Sequence, residues 1–336
     1  MAPQRLLIFG FSNVATKSGF TQPTIDRLAE AAPEIDVRRL GLGALQPQVV
    51  PPYLRIAGER MGPFSHVLLE INASAFAMHP LSTEARGREY LADMVMAVHE
   101  MGAMPIFMLH YRRWNRPVVL DFDDLVRRFC AELDLPLIDL AAGFVARHGQ
   151  ATVEGWLRDD VHTTAEGGAV MAEALAPFLL EQMDRPRPAP RSLPRPEFRR
   201  ASLDPSLPGR PRDSFDISDM ALDFTRLDSG ENEVIALDEP LFAQGLVHLF
   251  HPAGGRAPVT LSAPGQPEAP LTLATIDPHS YVPRIGVLAF DFYRGLPVDR
   301  LTIGPTAPAD DITLIKGERD APLRSYIGPI LTLEPL

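Results

Sequence analysis

The chain has 336 residues, 46% apolar and 22% charged, ordinary proportions for a globular protein long enough for two domains. Its net charge of −11 argues against a nucleic-acid groove or an anionic membrane surface as the main partner, and its single cysteine, Cys130, excludes a disulfide framework. No stretch approaches the ~20 apolar residues of a membrane span, and no charged-then-apolar leader is seen, so a cytoplasmic protein is expected.

The first element is "RLLIFG" (Arg5–Gly10), an apolar run that ends on glycine and delivers Phe11, Ser12 and Asn13 with no helical period. Four similar runs follow: "IDVRRL" (35–40), "HVLLEI" (66–71), "PIFMLH" (105–110) and "LPLIDL" (135–140). Several are apolar throughout, as strands buried on both faces should be. Helical patterns lie between them. Residues 82–102 place Tyr90, Met94, Ala97, Val98 and Met101 at three-and-four spacing and stop at glycine. Residues 121–134 and 164–183 behave likewise, and Cys130 falls on the first of these as core filler. Strand and helix in alternation predict an α/β domain of three layers, a five-stranded parallel sheet covered on both faces by helices. Ligands then belong at the carboxyl ends of the strands.

The stretch "RPRPAPRSLPRPEFRRASLDPSLPGRPRD" (185–213) has proline at every second or third position in much of its length, which removes amide donors and predicts an extended linker. The expected division is therefore a first domain at 1–184, a linker at 185–213 and a second domain at 214–336. Beyond the linker, "NEVIALDEPLF", "GLVHLFHP", "APVTLSAP", "APLTLATI", "RIGVLAFDF" and "DDITLIKG" are short, β-rich and separated by turn residues. They predict an antiparallel β-sandwich or jelly roll, which would also be the surface for any homo-oligomer. His248, His251 and His279 are scattered there without metal-ligand spacing, so no metal and no cofactor is expected.

Three readings compete for Ser12. A phosphate loop fails because Thr16, not glycine, precedes Lys17-Ser18, and a dinucleotide fingerprint fails because only Gly10 is present. A turn or helix-cap serine remains, against a nucleophile, which needs a base, an orienting group and oxyanion donors. "WLRDDVHTTAEGGAVMAEAL" offers the partners, with Asp159 three residues before His162 on a loop just ahead of a helix. Thr163 and Glu166 form a capping-box pattern for that helix. A carboxylate at that spacing can bend back to hold one imidazole nitrogen and fix its tautomer. The plainer reading makes Asp159 only N-terminal charge for the helix dipole.

Serine after the first strand, with Asp-x-x-His before the last helix, resembles the SGNH hydrolase superfamily of GDSL-type esterases and lipases over residues 4–183. The family's Gly-Asp-Ser motif corresponds to Gly10-Phe11-Ser12, followed here by Asn13, and its last motif to Asp159 and His162. The resemblance implies a flavodoxin-like sheet, Ser12 as nucleophile, His162 as general base and then acid, and Asp159 as its orienting group. It also implies an oxyanion hole from Ser12, a glycine after the second strand and an asparagine after the third. Gly41 and Gly43 are both available for the glycine, Gly43 being preferred. Asn72 is the candidate asparagine, although an ungapped alignment places Ser74 there instead. Phe11, in place of the motif's aspartate, would form an apolar wall, with Asn13 and His110 as further substrate contacts. Arg112, Arg113 and Trp114 follow His110 and are read as loop-stabilising.

The expected function is a serine-dependent acyl hydrolase (esterase or deacetylase) or O-acyltransferase acting on a small-molecule acyl ester, sugar-linked by analogy with the appended β-rich domain. The alternative is a catalytically degenerate SGNH-fold protein that binds or recognises glycans. Phe11 and the altered third motif favour that alternative.

Overall fold

A computed structural model describes residues 4–16, 19–43, 45, 47–74, 83–113, 121–185, 196–205, 207–291 and 294–336. Lys17, Ser18, Trp114 and linker residues 186–195 lie outside the described residues. The chain forms two units, Met1–Glu197 with Ser218–Met220, and Phe198–Ile217 with Ala221–Leu336.

In the first unit the chain runs β1 (Arg5–Gly10), α1 (Ser12–Ala15), α2 (Thr21–Ala31), β2 (Asp36–Gly41), α3 (Val50–Met61), β3 (His66–Glu70), α4 (Glu84–Glu100) and β4 (Met104–Leu109). It continues through α5 (Phe122–Leu133), β5 (Leu137–Asp139), α6 (Leu140–His148), α7 (Gln150–Gly155) and α8 (Ala165–Asp184). The strands form a parallel sheet in the order β2-β1-β3-β4-β5, as the alternating pattern requires. Leu6, Leu7, Ile8 and Phe9 are all fully buried, because β1 lies inside the sheet with helices on both faces. Leu6 and Ile8 join Leu28, Phe144, Met171 and Leu175 in one core under α2, α6 and α8. Side chains of the opposite parity face the other layer, where Phe107 meets Phe129 of α5 edge-on. Cys130 is buried in α5, and burial pushes its thiol up to about 12. Among the described residues no helix is long and apolar enough to cross a membrane.

The cap of α8 differs by one residue from the expected Thr163. Thr164 takes the N-cap, its hydroxyl accepting from Gly167 N–H, because Thr163 is engaged in an isolated bridge with Leu157.

The second unit contains β6 (Phe198–Leu203), β7 (Arg212–Ile217), β8 (Met220–Asp228), β9 (Glu233–Phe250), β10 (Arg256–Ser262), β11 (Ala269–Ala274), β12 (Arg284–Ala289), β13 (Leu296–Ile303) and β14 (Arg324–Pro335). They form an antiparallel sheet along β11-β10-β13-β9-β14-β8-β7, with β12 on β9 and β6 on β14. The linker expected to reach 213 instead gives way at Phe198. "FRRASL" is free of proline, so all its amides can pair, and it lies along β14 as β6. "NEVIALDEPLF" and "GLVHLFHP" are one strand, β9. Its ladder with β13 jumps from Leu241 to Ala236, so Pro240 falls in a bulge that needs no donor. "DDITLIKG" is irregular rather than a strand, with Ile315 largely exposed and its N–H bonded to Pro278 O.

Candidate active site

Ser12 begins α1, directly past the carboxyl end of β1, and the turn before α8 carries His162 to meet it. That turn is tight: Arg158 N–H donates to His162 O at 2.9 Å, and Thr164 N–H donates to Trp156 O at 2.8 Å. Inside it the Asp159 carboxylate accepts from the N–H groups of Val161 (3.0 Å) and His162 (2.8 Å). The same carboxylate lies 2.8 and 2.9 Å from His162 Nδ1. On the far side of the ring, His162 Nε2 is 2.7 Å from Ser12 Oγ. An ionised carboxylate can only accept, so Nδ1 carries the proton and Nε2 is left to accept from the serine hydroxyl. Burial pushes Asp159 up, but the two backbone N–H groups and the imidazole outweigh it and hold the carboxyl below its usual range.

Two features seat this turn on the serine. Asn13 is buried, and its amide Nδ2 donates to Val161 O at 2.9 Å while its Oδ1 accepts from Thr163 N–H at 3.4 Å. One side chain beside the nucleophile thus grips both neighbours of the imidazole. In addition, Gly168 in the first turns of α8 lies against the backbone of Gly19 and Phe20. A Cβ there would come within 2.7 Å of the Gly19 carbonyl.

The glycine alternatives separate clearly. Gly41 N–H is committed to Ser218 Oγ at 3.0 Å, Ser218 being part of the same unit. A Cβ on Gly41 would meet Ala15 N at 2.2 Å, so this glycine permits α1 to lie against β2. Among the described residues nothing lies within 4 Å of where a Cβ on Gly43 would stand, and its N–H donates to no acceptor among them. Ser12 N–H likewise has no backbone partner among them, as expected of the first amide of a helix.

Asn72 is placed otherwise than expected. It is fully buried, and Nδ2 donates to His110 O (2.8 Å) and Asp123 Oδ1 (3.2 Å) while Oδ1 accepts from His110 N–H (2.9 Å). Both amide protons are therefore engaged, one with the residue that follows β4 and one with α5. Arg112 completes the clasp from its Nη1, donating to Asn72 O at 2.9 Å and Asp123 Oδ1 at 2.8 Å. Burial raises Asp123 despite Arg112 and Asn72. Ser74, two residues on, is buried with no such bond among the described residues.

The three side chains expected to contact substrate are all inaccessible, which corrects that reading. Phe11 points into the core because the backbone turns at Gly10, Asn13 is drawn to the His162 turn, and His110 is 0% exposed. Neither ring nitrogen of His110 has a hydrogen-bond partner among the described residues, and burial pushes the ring down to about 4. Arg113 braces the turn, donating to Glu154 O at 2.9 Å.

One site residue escaped the sequence reading. Glu70, the last residue of β3, is fully buried beside the nucleophile turn, and burial pushes its carboxyl up to about 7. Its signal was a charged residue closing an otherwise apolar run.

No protein-family model and no curated protein matches the sequence. Solved structures do. A two-domain esterase (CEX) active on acetylated mannans superposes with a TM-score of 0.66 at 12% identity, covering 99% of this chain and 92% of that one. The same esterase crystallised with mannopentaose gives 0.65 at 11% identity, over 99% and 91%. A member of the lipolytic G-D-S-L family from Veillonella parvula gives 0.43 at 14% identity, over 55% of this chain and 100% of that one. At such identities the likeness to the two-domain esterase is one of fold, and it extends over both units.

Proposed function

From the premise that the first unit has the SGNH hydrolase fold, we propose that this protein is a serine esterase that removes an acyl group from a small polar ester. The observation that carries the reading is the unbroken line from Asp159 through His162 to Ser12, at 2.8 and 2.7 Å. Ser12 Oγ attacks the acyl carbonyl as its proton passes to His162 Nε2. The Asp159 carboxylate holds the other nitrogen and stabilises the imidazolium. That proton then goes to the leaving alcohol. Water, activated by the same nitrogen, hydrolyses the acyl-serine and restores the enzyme; a bound alcohol in place of water makes the reaction a transfer.

The developing oxyanion is supported by the amides of Ser12 and Gly43, which have no acceptor among the described residues. Asn72 is committed elsewhere, so the Ser74 hydroxyl is the side-chain donor this reading places after β3. The similar two-domain esterase is active on acetylated mannans, which makes acetylated carbohydrate the substrate class proposed here. The non-catalytic alternative draws on the committed Asn72 but leaves the aligned imidazole without a purpose.

The test is release of nitrophenol from a short-chain nitrophenyl ester and of acetate from acetylated manno-oligosaccharides, with fluorophosphonate labelling. Wild type is expected to turn over and label, and Ser12→Ala to lose roughly 10⁴-fold or more of kcat together with the label. A wild type that neither labels nor turns over refutes the esterase reading.

A further inference from the structure

We infer that Glu70 is a positioning residue for the reaction proposed above, holding the turn that carries the nucleophile against the turn that follows β3. This rests on the esterase reading. Glu70 pairs across the sheet with Gly10, so its side chain emerges just where the chain turns toward Ser12. Oε2 accepts from Phe11 N–H at 3.5 Å, the residue before the nucleophile. Oε1 accepts from Ala73 N–H at 3.2 Å, the residue between Asn72 and Ser74. One buried carboxylate thus bridges two segments that meet nowhere else in the ladder. Both carry groups for the oxyanion, Ser12 on one and Ser74 on the other.

Only the ionised form suits this role. A carboxylate offers an acceptor oxygen to each turn, whereas the protonated acid presents a donor to one of two N–H groups. Burying that charge is unfavourable, and the environment only partly relieves it. The charged groups acting on it are Arg112, which follows β4 and favours ionisation, and Asp123 of α5, which opposes it, while the two backbone N–H groups favour it. An amide in its place would offer an acceptor to only one of the two N–H groups, and an apolar side chain to neither. A buried carboxylate that reaches both turns is thus retained for geometry, at a cost in stability.

The experiment compares full-length wild type with Glu70→Gln on a nitrophenyl ester across pH, with thermal midpoints at pH 8. The glutamine is nearly isosteric but turns an NH₂ toward one of the two amides. The expected result is a fall in kcat of roughly 10- to 100-fold with KM changed little. The thermal midpoint at pH 8 is expected to be equal to or above wild type. The acid limb of the wild-type kcat profile is expected to show two ionisations and that of the variant one. A kcat within about twofold of wild type, or a loss that merely follows a lowered midpoint, overturns the inference. If the variant is not recovered folded, the wild-type profile decides: a single ionisation on the acid limb overturns it. A wild type without turnover removes the esterase reading and this inference together. An active wild type matched by its variant removes only this one.

Discussion

Replacing Asn72 by alanine distinguishes a clasp from an oxyanion donor. In this structure the substitution strands the N–H and C=O of His110, both in a fully buried residue, and withdraws a donor from Asp123. Each buried main-chain group left without a partner costs about 1–3 kcal/mol, so the pair predicts a destabilisation on the order of 2–6 kcal/mol. Against a total stability of about 5–15 kcal/mol, that is a large fraction. Urea unfolding followed by tryptophan fluorescence is the assay. Trp156, half of the chain's tryptophan content, reports from the first unit. Asn72→Asp should be no better. It keeps an acceptor for His110 N–H but loses the donor to His110 O and sets a carboxylate against Asp123. Were Asn72 instead an oxyanion donor, the alanine variant would keep its unfolding midpoint while kcat fell about 10²–10³-fold. That outcome would refute the clasp and return the asparagine to the catalytic machinery.

Asn13→Ala should lower kcat roughly tenfold through looser placement of His162, with a stability loss of about 1–2 kcal/mol for the orphaned Val161 carbonyl. Unchanged rates of ester turnover and fluorophosphonate labelling would rule out that grip. Acidification should weaken the β-rich unit first. Burial holds His248 at about 4 against an ordinary value of about 6.5, so the folded state refuses a proton that the unfolded state takes. Its contribution is complete above pH 6.5, and on the order of 3 kcal/mol is lost as pH falls through 4. In the first unit His110 behaves alike, but Glu70 has the opposite sign. Its carboxyl is raised to about 7, and its contribution is complete below 4.5 and lost as pH rises through 7. Hydrogen exchange at pH 7 and pH 5 should therefore show protection falling more in β9 and its neighbours than in β1 and β3. His248→Gln should flatten that difference, and equal loss in both units would contradict the argument.

The parallel sheet was legible because period and burial coincide. "RLLIFG" and "HVLLEI" are apolar at both parities over most of their length because helices cover both faces, and the turn residues after them mark where chemistry can sit. The pairing of Ser12 with Asp159 and His162 was legible only through the family resemblance. Each motif alone reads equally as a helix cap or a dipole charge, and it is their order in an α/β chain that matches a family pattern. The bonds of Asn72 were not foreseen because its partners come from 38 and 51 positions away, just past β4 and on α5. No local pattern specifies which amide a buried carboxamide will find. Phe11 and Asn13 were placed toward substrate by analogy, whereas the turn into α1 buries Phe11, Asn13 and Val14 and leaves Ser12 half-buried. In the second unit, proline and acidic residues in "ALDEPLF" imitate a loop. A bulge absorbs them because the neighbouring strand can skip those donors.

The contact of α8 with Gly19 and Phe20 bears on how far apart the hydroxyl and the imidazole can drift. Backbone meets backbone there, so alongside the Asn13 grip the spacing of two groups 150 positions apart depends on a hydrogen atom standing where a methyl would otherwise be. Evolution could therefore detune the reaction from outside the pocket. An alanine at Gly168 would keep every reacting side chain and still push hydroxyl and imidazole apart.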